Sequence, residues 1–257
     1  GSDCGSIPQW DIFFISVYMM IFFLIIFSSS SNCGTGTLII PENTTQIEDE
    51  EYFNCSLYTG QLIIPDSVSS IGSRSFYCCS GFESIKLSNS LQSIGDEAFS
   101  HCFGFRGSLI IPNSVTTIGN YAFAFCSQFN SLLKLGSNLT EIGSFAFQNC
   151  DKFKGSLTIP NKVIQIREST FSCCSSFSSL ILGSNVREIG PNTFENYSGF
   201  SSLTLPEKVT TIGSYAFTRC SNFKGALKIP DTVTYLGNGS FSYCSGFTKD
   251  LTINANV

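Results

Sequence analysis

Ile118-Gly119-Asn120-Tyr121-Ala122-Phe123 returns as Ile212-Gly213-Ser214-Tyr215-Ala216-Phe217, and the same frame recurs with small changes along most of the chain. Its first isoleucine stands at Ile47, Ile71, Ile94, Ile118, Ile142, Ile166, Ile189 and Ile212, and Leu236 closes the series, so the step is 23 or 24 residues. A fixed period of that length marks a solenoid, whose units cannot bury their apolar faces alone and must stack. From about residue 38 onward the 257 residues therefore read as one elongated domain.

Phenylalanine, with 25 copies, is the residue the period organises. One set falls at Phe53, Phe76, Phe99, Phe123, Phe147, Phe171, Phe194, Phe217 and Phe241, and a second at Phe82, Phe105, Phe129, Phe153, Phe177, Phe200, Phe223 and Phe247. Both are expected to be aromatic ladders in a continuous core. Aligned on them, the unit reads L-x-(I/L)-P-x-x-V-x-x-I-G-x-x-A-F-x-x-C-x-x-F, then a few small polar residues. Leu157-Thr158-Ile159-Pro160 alternates and then stops at a proline that cannot donate to a ladder, which predicts a short strand. Val209 to Ile212 predicts a second extended segment, and the glycine after it a turn with positive φ. Arg167 and Glu48 replace that glycine, so their two turns are expected to deviate. Ala-Phe-x-x-Cys has the spacing of a single helical or 3-10 turn. The length difference between units sits after the second Phe, in a surface loop. Nine units stacked at strand spacing would give a rod or arc about 40–45 Å long.

Eight of the twelve cysteines share one repeat position: Cys55, Cys79, Cys102, Cys126, Cys150, Cys174, Cys220 and Cys244, with Tyr197 at the remaining place. One fixed position per unit reads as a column of buried small groups; disulfides and metal binding are the alternatives. Cys78-Cys79 and Cys173-Cys174 lie four units apart, about 19 Å at strand spacing, too far for a closed zinc site. Cys4 and Cys33 stand outside the column and are the first candidates for a disulfide. Glu48-Asp49-Glu50-Glu51 lacks the Asp/Asn/Gly alternation of a calcium loop and reads as a solvated acidic turn. His101 is the sole histidine, and beside Cys102 it lacks a third group to orient it for catalysis. No phosphate-binding loop or nucleophile elbow is present. No catalytic, metal or cofactor residue is assigned.

A net charge of −5, with 13% charged residues, provides no basic stripe and argues against nucleic-acid binding. Residues 12–27 are an almost unbroken apolar run followed by Ser28 to Ser31, which predicts a secretory or anchoring segment over 1–31 and a solenoid over 32–257. Asp3 and Asp11 precede the run without any Lys or Arg, and a buried cap is the other alternative. The final Leu251-Thr252-Ile253 follows the strand pattern without a polar cap, so truncation at this end is expected. The sequons at Asn43, Asn138, Asn196 and Asn238 are candidate glycosylation sites; a fifth, at Asn54, adjoins a ladder cysteine, which argues against access.

The repeat resembles the BspA-like, or Treponema-type, leucine-rich repeat, and Phe105-Arg106-Gly107-Ser108-Leu109-Ile110-Ile111-Pro112-Asn113-Ser114-Val115 is similar to the form in trichomonad surface antigens. The resemblance spans about residues 38–253. It implies a β-rich leucine-rich-repeat solenoid of the α/β horseshoe class and a non-enzymatic adhesion or recognition module, on the cell surface or secreted. The implied partners are a host cell-surface or matrix protein or a glycan, with membrane contact only through a retained N-terminal segment; a structural spacer that presents another domain is the alternative. Strand alternation places Ile39, Ile63, Lys86, Ile110, Lys134, Thr158, Ile181, Thr204, Lys228 and Thr252 on the outer face. Ile63, Lys86, Ile110, Lys134, Ile181 and Lys228 are the partner-binding candidates.

Overall fold

A computed structural model describes residues 32–253. The apolar run 12–27, Cys4 and residues 254–257 lie outside them. The chain winds into a parallel β-solenoid of about nine turns. Most turns contribute two short strands, although residues 38–41 and 203–206 form none. The Val-x-x-Ile segments build one sheet from Gln46–Ile47, Ser70–Ile71, Ser93–Ile94, Thr117–Ile118 and Glu141–Ile142, and another from Gln165–Ile166, Glu188–Ile189, Thr211–Ile212 and Tyr235–Leu236. Their register is isoleucine upon isoleucine, as in Ile94↔Ile118 and Ile189↔Ile212. The Leu-x-(Ile/Leu) strands pair by twos: Gly60–Ile63 with Phe82–Lys86, Leu109–Ile110 with Leu133–Lys134, Ser156–Thr158 with Ser179–Ile181, and Leu227–Lys228 with Leu251–Thr252; only the first strand of each pair runs into a proline, at Pro65, Pro112, Pro160 and Pro230.

The core is the pair of aromatic ladders. Phe76, Phe99, Phe123, Phe147 and Phe171 stack face to face with centroids 5.1–5.5 Å apart, and Phe82, Phe105, Phe129 and Phe153 follow at 5.2–6.3 Å. Rings of the two ladders meet edge to face, as Phe99 meets Phe105 at 6.2 Å. The first turn departs from the expected register. Tyr52, stacked on Phe76 at 5.1 Å, heads the first ladder, and Tyr58, stacked on Phe82 at 6.0 Å, heads the second. Phe53 is displaced to the outside, against Tyr77.

The Ala-Phe-x-x-Cys stretch is not a helix. Among the described residues there is no helix at all, and the expected helical turn is replaced by overlapping tight turns. Residues two before and two after each ladder aromatic have positive φ: Glu97 (54°) and His101 (62°) around Phe99, Tyr121 (54°) and Phe125 (62°) around Phe123. Turns such as Phe99 C=O to Cys102 N–H then close over a left-handed third residue. Alternate N–H groups are freed to reach the next turn of the solenoid. Tyr121, Phe123 and Phe125 donate to the carbonyls of Ser144, Ala146 and Gln148 at 2.8–3.0 Å. None of the positive-φ residues is Val, Ile or Thr, whose branched Cβ is least compatible with that backbone.

The glycine after the isoleucine serves a different purpose from the one expected. Gly95 has no positive φ, but a Cβ there would lie 2.6 Å from the backbone of Gly72 and Ser73, and at Gly143 it would lie 2.4 Å from Gly119 and Asn120. It permits close approach of successive turns. Arg167 bears out the expected deviation: the isoleucine sheet is divided between Ile142 and Ile166, the junction below the arginine. At Glu48 the strand pairing to the following turn is kept, with the bond from Gly72 N–H to Ile47 C=O at 2.8 Å, and that turn deviates in its ladder instead, where Tyr52 takes the place expected of Phe53. The loop after the second aromatic is where positive-φ glycine is used, at Gly107, Gly155 and Gly225.

The cysteine column is more than small apolar filling. Each thiol donates to the carbonyl of the ladder aromatic one turn earlier: Cys79 to Tyr52, Cys102 to Phe76, Cys126 to Phe99 and Cys150 to Phe123, at 2.9–3.1 Å. Tyr197 does the same through its hydroxyl, reaching Phe171 C=O at 2.7 Å. Cys55 departs from the column, because it is joined to Cys33 by a disulfide. Burial pushes the thiols of Cys79 and Cys174 up to about 12.

Candidate recognition surfaces

The Leu-x-(Ile/Leu) strands hold Leu or Ile inward and present the next residue outward, because side chains alternate across a strand. Ile63, Ile110 and Ile181 are 47%, 47% and 54% exposed, and Lys86, Lys134 and Lys228 are exposed with them. Register joins these residues in pairs, Ile63↔Lys86, Ile110↔Lys134 and Thr158↔Ile181, with Lys228↔Thr252 further along. Within each pair the predicted outer residues share one face; Ile39 and Thr204 are exposed but lie outside the strands. Their charges differ in availability. Lys228 Nζ lies 3.0 Å from Glu207 Oε1, which raises the lysine pKa, whereas Lys86 and Lys134 form no ion pair among the described residues.

Two shallow depressions open along this column. One, about 390 Å³, runs over three turns past Leu135, Thr158, Pro160 and Ile181; the other, about 300 Å³, is bordered by Ile110, Pro112, Asn113 and Lys134. Their floors are the corners after the strands, where an Asx side chain of one turn accepts from the backbone of the next. Ser137 N–H to Asn113 Oδ1 and Ser184 N–H to Asn161 Oδ1, both 2.9 Å, are two such bonds. The corners are therefore fixed before any partner arrives.

The sequon asparagines lie at turns around the solenoid. Asn43, Asn138 and Asn238 are exposed, and Lys162 Nζ donates to Asn138 Oδ1 at 2.8 Å. Asn196 is half-buried with φ of 67°. Asn54, expected to be inaccessible, is exposed beside the Cys33–Cys55 disulfide.

A second surface lies on the turn face and was missed in the sequence. Phe53 stacks on Tyr77, Tyr77 packs against His101 at 5.2 Å, and His101 stacks on Phe125 at 4.6 Å; Phe103 meets His101 edge-on. Beside this stack, Tyr121 and Phe145 lie parallel at 4.6 Å. Arg74 places its guanidinium carbon 4.7 Å above Phe53 and 5.3 Å from Tyr77 while pairing with Glu50 at 2.7 Å. Burial, then Cys78 and Glu97, push the Tyr77 phenol up to about 12; burial lowers the pKa of His101. His101, Phe125, Tyr121 and Phe145 stand at left-handed positions whose residue type varies from turn to turn, so the repeat pattern does not reveal them; Phe53, Tyr77 and Phe103 join from neighbouring positions with ordinary backbone.

With fold and surfaces in place, comparison with known proteins settles the family. The model of the BspA type leucine rich repeat region, in six copies, matches residues 27–133, 105–224 and 131–248. The chain belongs to the BspA-type leucine-rich-repeat family. Among solved structures, the leucine-rich repeat protein of T. pallidum is similar with a TM-score of 0.56 and 24% identity, over 64% of this chain and 77% of that one. A leucine-rich repeat protein from Eubacterium ventriosum is similar with a TM-score of 0.59 and 23% identity, over 82% of this chain and 65% of that one. Identity at this level speaks to the fold alone. No curated protein matches the BspA-type chain. Membership in this family points to a protein-interaction module, and among the described residues no helix is long and apolar enough to cross a membrane.

Proposed function

We propose that this BspA-type solenoid is a non-enzymatic adhesion or recognition module, displayed at the cell surface or secreted, that binds a host surface protein, matrix protein or glycan. The observation that carries the reading is the outer strand column, where Ile63, Ile110 and Ile181 alternate with Lys86 and Lys134 above preformed depressions. Exposed isoleucine on a strand face costs solubility and contributes nothing to the core, so a partner that covers it gains apolar burial. The two unpaired lysines add attraction for acidic groups on that partner. Their placement on short, closely spaced strands fixes the spacing between contacts.

The test is adhesion of the full chain to host cells and to purified matrix proteins, comparing the parent with Lys86→Glu/Lys134→Glu and with Ile110→Ser/Ile181→Ser. Loss of adhesion in both, with an unchanged circular dichroism spectrum, is the expected result. Retained adhesion in both would remove the strand face from the mechanism; absence of adhesion by the parent itself would favour a spacer that presents another segment.

A further inference from the structure

We infer that the loops leading into the strand face form a cationic surface around Leu132 that takes an acidic segment of a protein partner, one with apolar side chains among its carboxylates. The inference rests on the strand face being a recognition surface and names the chemistry of what binds there. Charge is uneven along the chain. Between Glu97 and Glu168 stand Arg106, Lys134, Lys152, Lys154, Lys162 and Arg167 against Glu141 and Asp151, so this stretch is positive in a protein of net charge −5.

Bonds between turns gather four of those cations on one side. Arg106 and Lys154 hold the same loop position two turns apart, directly after Phe105 and Phe153, with Asn130 between them. Asn130 N–H and Ser131 N–H both donate to Gly107 C=O, at 3.2 and 3.1 Å, and Gly107 N–H donates to Asn130 Oδ1 at 3.0 Å. Lys154 N–H donates to Ser131 C=O at 2.7 Å. The three loops are thereby stacked, with Arg106 and Lys154 about 10 Å apart at two strand spacings. Lys134 stands on the strand that follows the middle loop, and Lys152 Nζ donates to Gln128 Oε1 at 2.8 Å. All four cations are exposed, and none forms an ion pair among the described residues. Glu83, whose C=O accepts from Arg106 N–H, borders the array on its early side, and Asp151 precedes Lys152. Leu132 belongs to the middle loop and is 52% exposed; a Cβ at Gly155 would lie 3.0 Å from its Cδ2, so the leucine rests on the loop of the next turn.

Cations held in a fixed array without partners attract carboxylates and disfavour a cationic ligand. Leu132, and Ile110 in register with Lys134, reward apolar groups on whatever covers them. A sulfated polysaccharide answers the charge and offers little to the leucine. A protein segment that mixes acidic and apolar residues answers both.

The experiment titrates the full chain with a short peptide of glutamates interspersed with leucines, at about 0.1 M salt so that distant charges are screened. Comparison ligands are the same peptide with lysine for glutamate, the same peptide with serine for leucine, and heparin. The parent should bind the glutamate–leucine peptide about tenfold more tightly than either other peptide. Arg106→Gln/Lys154→Gln should weaken that binding about tenfold and Leu132→Ser about threefold, with unchanged circular dichroism. Arg187→Gln/Lys208→Gln, which removes equal charge elsewhere, should leave it within about twofold. The inference is overturned if the parent does not bind the peptide, if the lysine or serine peptide binds equally well, or if the control pair weakens binding as much as Arg106→Gln/Lys154→Gln. It is also overturned if that loop variant loses heparin binding and keeps the peptide, since the surface would then belong to a glycan. A chain that adheres to host cells without binding the peptide loses this inference and keeps the strand-face reading. A chain that binds the peptide with the expected variant pattern but adheres to nothing keeps the inference and loses host adhesion.

Discussion

The junction between Ile118 and Ile142 and the one between Ile142 and Ile166 join turns of the same pattern, yet only the first carries the isoleucine sheet across. Gly143 lets the backbone of its turn settle onto Gly119 and Asn120; Arg167 brings a Cβ to the equivalent place. The aromatic core, the cysteine column and the turn-face bonds cross the second junction intact, although the Leu133–Lys134 and Ser156–Thr158 strands are not joined there either. Phe147 stacks on Phe171 at 5.3 Å, Cys174 donates to Phe147 C=O at 2.9 Å, and Phe145, Phe147 and Asn149 donate to Glu168, Thr170 and Ser172 at 2.9–3.0 Å. The lesson is that the aromatic core and the turn-face bonds hold successive turns together, and the two-residue strands are dispensable at a given junction.

That ranking can be broken by deleting the core at the weak junction. Phe147→Ala should cost about 3–5 kcal/mol, the range for a large ring lost from a packed interior. Because the sheet does not compensate there, calorimetry should resolve two transitions, one for each side of the junction, whereas Phe99→Ala should leave a single transition. A single transition in both variants would show that the divided sheet has no energetic meaning.

The turn face supplies the next effect in size. Tyr121→Val puts a branched side chain where φ is 54° and should destabilise by about 1–3 kcal/mol in chemical denaturation, while Tyr121→Asn should cost far less. Tyr197→Phe isolates the thiol-type bond: it leaves the Phe171 carbonyl without its buried hydroxyl donor, at a cost of about 1–3 kcal/mol. Equal stability of Tyr197→Phe and the parent would reduce the cysteine column to packing.

The smallest effects are at Arg167 and His101. Arg167→Gly should join the two sheets and slow amide exchange at residue 167, with a net stability change within about 1 kcal/mol because glycine brings its own entropic cost. His101 has its pKa lowered in the folded state by burial between aromatic neighbours, with Ser100 Oγ 2.9 Å from Nδ1. The neutral form is therefore favoured by folding, so stability is full above the ordinary histidine value and falls as protons bind the unfolded chain below it. His101→Phe, which copies the native Phe125 at the same positive-φ position, should flatten the melting temperature of the protein between neutral and mildly acidic pH.

The period, the two strand segments, the ladders and the outward residues were legible because each is a constant residue type at a constant position. The left-handed turns were not, because Glu97, Tyr121, Phe145 and Tyr215 have no type in common; what they share is the exclusion of β-branched residues, a signal carried by absence. The first turn misled because Phe53 imitates the ladder residue one place from Tyr52. Cysteine read as filler since a weak thiol donor and a small apolar group leave the same trace in sequence; Tyr197, whose hydroxyl makes the bond plain, was the available clue. The Cys33–Cys55 disulfide combines one residue inside the column with one outside it, which periodicity alone does not indicate.

On the turn face, three N–H groups of most turns donate forward, as Glu50, Tyr52 and Asn54 donate to Ser73, Ser75 and Tyr77, and as Tyr215, Phe217 and Arg219 donate to Asn238, Ser240 and Ser242. An ordinary sheet alternates the direction of its peptide groups and nearly cancels their moments. Here the same sense is kept from turn to turn, so this side of the rod is a row of head-to-tail dipoles resembling that of a helix, with the carbonyl pole toward the early turns. The turn face thereby has an electrical polarity that composition does not reveal, its early turns drawing cations and its late turns anions, while bonds on the isoleucine side such as Gly119 N–H to Ile94 C=O and Thr116 N–H to Gln92 C=O run the other way and oppose it across the rod.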